Sequence, residues 1–136
     1  MLYTIALIIH LAGAITFIGS VFFWTFILDT LKHKIDNFSE VESKLSVVIV
    51  PTMRVIVGLV LITGLYMFHV RASSIDMDFF GSSYGRILLA KGILGLIMVI
   101  AFYIVSFNLE RIRYHNALHY VFITVQIVLI VLAKLL

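Results

Sequence analysis

No cysteine occurs anywhere in the chain, which excludes disulfides, thiolate metal sites and catalytic thiols together. Charged residues make up only 12% of it and proline occurs once, at Pro51. That is too little charge to coat a water-soluble domain. Motifs of soluble catalysis are also missing: the chain has no Gly-rich phosphate loop, no H-E-x-x-H and no nucleophile elbow. The opening residues carry neither a basic n-region nor an A-x-A cleavage site, so the first apolar run reads as a retained span.

What is present is apolar. Of 136 residues, 62% are hydrophobic, and the mean hydropathy is +1.16. The composition predicts an all-α polytopic membrane protein. Its net charge of +3 then belongs to topology and anionic lipid head groups, and no nucleic-acid partner is expected.

Four spans are predicted, at about 2–28, 46–70, 86–107 and 116–135, each long enough as helix to cross a hydrocarbon core roughly 30 Å thick. Short connections favour one up-down four-helix bundle, a single domain over 1–136. In the first connection Ser39-x-x-Glu42 has the pattern of a capping box for a helix running into the second span. Gly81-Ser82-Ser83 in the second has a loop composition. Lys32, Lys34 and Lys44 in the first connection and Arg111 and Arg113 in the third outnumber Arg71 in the second. Both termini are therefore expected outside, with Lys134 the dissenting charge.

Ionisable groups inside lipid are costly, by about 2.5–3.5 kcal/mol at a helix centre on insertion scales, and so point to function. His10 is the first. Gly13, Ala14 and Phe17 share its face, which lets a helix or a flat ligand approach closely. A neutral imidazole there can ligate haem iron or copper. The plainer alternative is an interhelical hydrogen bond to a backbone carbonyl or a hydroxyl. By depth, His10, Lys91 and His69 form an outer set; Arg54, His115 and His119 form an inner one; Gln126 lies near mid-depth. Lys91 would pair with an acidic ligand group or snorkel to the interface. Arg54 calls for a buried anion such as a propionate or carboxylate. His115 and His119 have i, i+4 chelate spacing, and they also sit beside Tyr114 and Tyr120 where an aromatic belt belongs. The methionines form no M-x-x-M cluster.

These residues resemble a known family. His10 followed by Phe17 and Gly19, the run from Glu42-x-x-Leu45 through Pro51 to Gly64-Leu65, Lys91 followed by Leu94, and Asn116 opening the fourth span are similar to the HemJ-type protoporphyrinogen IX oxidases. The related CopD-like membrane domains of copper-resistance proteins are resembled more loosely. The resemblance implies haem b in a bacterial inner membrane, with His10 as axial ligand and Phe17, Gly13 and Gln126 about the cofactor. Lys91 and Arg54 would serve activity by meeting propionates or substrate carboxylates, and the reaction would oxidise protoporphyrinogen IX to protoporphyrin IX with electrons passed to quinone. The family's Leu-Pro-Arg after Gly19 and its Glu and Pro after Asn116 are replaced here. The CopD-like alternative is copper handling or transport, with His10 and an outer partner such as His69 as metal ligands, and His119 as a further candidate. A third reading is a non-catalytic bundle supporting a larger complex or self-association.

Overall fold

The computed structural model describes residues 1–75, 78–108 and 115–136. The expectations for Arg111, Arg113 and Tyr114, and for the side chains of His115 and Asn116, lie outside them.

The described residues form four long helical rods and no strands. The first is α1 (Leu2–Phe22), continued by a π-helical stretch (Phe23–Leu28) and a last α turn (Asp29–Leu31). Then come α2 (Phe38–Ser73), α3 (Ser83–Phe107) and α4 (His115–Leu135). All four are long and apolar enough to cross a membrane. In lipid a helix satisfies its own backbone groups, which is why runs of this composition become rods. Arg71 at the end of α2 bonds Tyr3 at the start of α1 and Tyr84 at the start of α3, so the rods alternate in direction. We call this the terminal end, and the opposite one, where residues 32–37 join α1 to α2, the connection end.

One helix start differs from expectation. α2 begins at Phe38, eight residues before the predicted span, and its cap residue is Asn37 with no side-chain cap bond. Ser39 and Glu42 are therefore already inside the helix and no capping box forms; instead the Asn37 carbonyl accepts from the Glu40 and Val41 amides at 3.2 and 3.3 Å. A serine cap does occur at Ser82, whose Oγ accepts the Gly85 amide at 2.9 Å and starts α3.

The fully buried core is small because lipid, not water, surrounds the rods and tolerates exposed Ile, Leu and Val. Its centre is aromatic. Phe17 of α1, 4% exposed, meets Phe102 of α3 and Phe122 of α4 edge to face, with ring centroids 5.2 and 6.4 Å apart. Met53, Val57 and Val99 complete the cluster. Perpendicular rings of this kind add about 0.5–1.5 kcal/mol per pair beyond their burial.

Near the connection end the first rod leaves regular α-helix and the second, which stays α-helical, lacks one ladder donor. Phe22, Phe23, Trp24 and Phe26 fill four of five consecutive positions where α1 widens into the π-helical stretch, and the Thr25 hydroxyl donates to the Val21 carbonyl at 2.8 Å. Pro51, inside α2, has no amide proton to give the Val47 carbonyl. Such breaks in the hydrogen-bond ladder recur at functional sites.

Candidate functional site

The chemistry-bearing residues sort into two groups at different depths. The first lies in the terminal half and begins with His10, which is half-buried on α1. Its Nδ1 is 3.0 Å from the Val60 carbonyl and 3.2 Å from Thr63 Oγ1 on α2. A carbonyl can only accept, so Nδ1 carries the proton and Nε2 keeps its lone pair. The bond to a backbone carbonyl, the plainer alternative to ligation, thus occupies only one nitrogen. Glycine makes the approach possible: a Cβ at Gly64 would stand 2.9 Å from His10 Cε1. Gly13, expected beside a cofactor, serves instead to bring α1 against α2, where a Cβ would stand 2.5 Å from Val60 Cγ2.

Lys91 is half-buried on α3, within electrostatic reach of His10. Arg71 stands within similar reach of Lys91 and donates to Tyr3 at 2.6 Å and to Tyr84 at 3.1 Å. Arg71, Lys91 and His10 therefore share the terminal half of the bundle. His69 is not part of this group: five residues beyond Gly64, it points about 140° away round the helix, and it is exposed. The expected His10–His69 pair is not assembled.

The second group surrounds a cavity of about 690 Å³ in the connection half. Trp24 and Leu28 from the π-helical stretch and Val47 and Pro51 from α2 form part of its wall, so both breaks in the hydrogen-bond ladder border it. Arg54 and His119 also line it; Gln126 and His10 do not.

Arg54 does not meet a carboxylate. Its Nε donates to Ser106 Oγ at 3.2 Å, its Nη2 donates to the Ser106 carbonyl, and its guanidinium lies 4.0 Å from the centroid of Phe107. In return the Tyr103 hydroxyl donates to the Arg54 carbonyl at 2.7 Å. The buried anion expected for Arg54 is replaced by the end of α3, whose last carbonyls lack helical partners and carry the negative pole of the helix. Gln126 is 3% exposed and its Nε2 has no hydrogen-bond partner among the described residues. The arrangement expected for haem, His10 at the iron and Arg54 at a propionate, is not gathered round one cavity.

The comparison with known families bears on this division. The family described as copper resistance protein D, CopD, matches residues 50–136, most of α2 and all that follows. The chain belongs to the CopD family. No curated protein and no solved structure matches it. Of the two resemblances drawn from the sequence, CopD is the one this match supports, and it lends nothing to haem b or porphyrinogen oxidation. In this CopD chain the matched segment holds Arg54, Gly64, Lys91 and His119, while His10 lies before it and is joined to it through Val60 and Thr63. Gly64 stood out in the sequence, but Val60 and Thr63 did not, because a valine and a threonine in an apolar helix are ordinary packing residues until a partner helix is placed against them.

Proposed function

We propose that this chain is a copper-handling membrane protein in which copper is the cargo and His10 is the side chain that meets it inside the bundle. The carrying observation is the bond from His10 Nδ1 to the Val60 carbonyl, which turns the remaining nitrogen into a potential ligand. Metal-binding histidines are commonly oriented by such a bond from the other ring nitrogen, and imidazole suits copper. Membership of the copper-resistance family supports the choice of metal.

The donor set suits transit better than storage. Among the described residues no group of three or more His, Cys, Asp or Glu converges. Lys91 adds a cation within electrostatic reach of His10, which weakens the hold on a second cation and favours its release. We read the chain as one domain, and Lys32, Lys34 and Lys44 favour an orientation with both termini on the periplasmic side of a bacterial inner membrane.

The test is copper accumulation in cells expressing the chain or His10→Ala at equal membrane abundance. The variant is expected to fall to the level of cells without the protein. Accumulation equal to that of the unaltered chain would remove His10 from the copper path.

A further inference from the structure

The connection-half cavity has a feature that copper transit does not use. Its rim, at the membrane boundary, carries Asp29, Lys32 and Glu42, two carboxylates and one ammonium. Deeper in, the walls turn to Arg54, and the floor towards mid-membrane is aromatic, with Phe17, Phe102 and Phe122. Polarity thus falls along the cavity in the same direction as it falls through a lipid leaflet.

The rim charges are not spent on one another. Among the described residues the one ion pair is Lys44 with Glu40. Among the described residues, the Asp29 and Glu42 carboxylates and the Lys32 ammonium take part in no side-chain hydrogen bond. Arg54 uses Nε and Nη2 on Ser106, and among the described residues its Nη1 is left to spare. Among the described lining residues two acids and two bases sum to no net charge, so this lining matches neither an anion nor a cation alone.

We propose that this cavity holds one zwitterionic phospholipid with a primary-ammonium head group. The ammonium sits between Asp29 and Glu42, the phosphate faces Lys32 and Arg54, and an acyl chain runs along the aromatic floor. A volume of about 690 Å³ is within the range of small-molecule sites and takes the head group and the first part of one chain. A primary ammonium has three protons to give the two carboxylates, whereas a trimethylated head group has none. An anionic head group meets both carboxylates with like charge. The proposal is independent of copper.

Trp24 provides the readout, because it is the chain's single tryptophan and lines the cavity. The purified full chain is reconstituted in vesicles of unlabelled phosphatidylcholine. Phosphatidylethanolamine, phosphatidylcholine or phosphatidylglycerol with brominated acyl chains is then titrated in, and quenching of Trp24 emission is followed. Half-maximal quenching is expected at about tenfold less ethanolamine lipid than choline lipid, the size of one charge-assisted hydrogen bond. Glycerol lipid should quench least. Glu42→Gln should reduce the preference to under about threefold, and Glu40→Gln, exposed and outside the cavity, should keep it. Equal quenching by the three lipids, or a preference unchanged in Glu42→Gln, overturns the proposal. Soluble glycerophosphoethanolamine distinguishes a free phosphate ligand from a lipid: if millimolar amounts abolish the preference, the site recognises the head group alone and the lipid assignment fails.

Discussion

His10 and Gly64 are fitted to each other across two helices: the imidazole lies where a side chain at 64 would start, and a Cβ there would stand 2.9 Å from Cε1 and 3.3 Å from Nδ1. Gly64→Ala must displace the ring and break its bond to Val60. The expected loss is about 1 kcal/mol, the net worth of one intramolecular hydrogen bond. Thermal unfolding in detergent, as a cycle with His10→Ala, checks it: the alanine at 64 should be much less damaging once the imidazole is gone.

Lys91 should oppose copper at His10. Replacing it with Met removes a positive charge within electrostatic reach of the imidazole and leaves a side chain of similar length. Copper affinity measured by competition with a chromophoric chelator is expected to rise about tenfold, equivalent to ~1.4 kcal/mol. Uptake by cells should slow, because release slows. Unchanged affinity would show that Lys91 does not act on the metal.

Arg54 should matter first for stability. Its side chain ties α2 to the end of α3 through Ser106 and Phe107, while Tyr103 returns a bond to its carbonyl. Arg54→Met is expected to destabilise the bundle by about 2 kcal/mol, as loss of a charged hydrogen-bond donor does. Arg54→Lys should recover less than half of this, since an ammonium cannot reproduce the planar fork or its stacking on a ring. Unfolding midpoints in detergent for the three chains decide the point.

Gln126 buries an amide nitrogen without a partner among the described residues. Replacing it with Leu removes a desolvated donor at nearly constant volume. A gain of about 1 kcal/mol is expected, read as a higher unfolding midpoint with copper accumulation unchanged. A loss of accumulation together with that gain would assign the amide a part in handling the cargo.

Much of the architecture was legible beforehand. The four rods follow uninterrupted apolar runs, and the helix expected to enter the second span from a Ser39 cap begins slightly earlier, after Asn37. The candidate site was legible only in part. His10, Lys91 and Arg54 stood out by charge in an apolar setting, but their partners did not. Arg54 pairs with a backbone carbonyl, Ser106, which no residue type announces. The π-helical stretch is similarly silent, since Phe23–Leu28 reads as helix of any pitch.

By itself the sequence determined the class of protein and the depth of each polar group. An apolar run of this length has one low-energy backbone in lipid, and the helical rise converts residue number into depth. Tertiary structure alone decided which groups meet. Rotation of each rod about its axis and the order of neighbours come from packing, where Gly13 admits Val60 and Gly64 admits His10. Those contacts join residues some fifty positions apart, and no local pattern encodes them. The same packing closed a cavity round Arg54 and His119 and left His10 outside it, which depth had separated but had not assigned to partners.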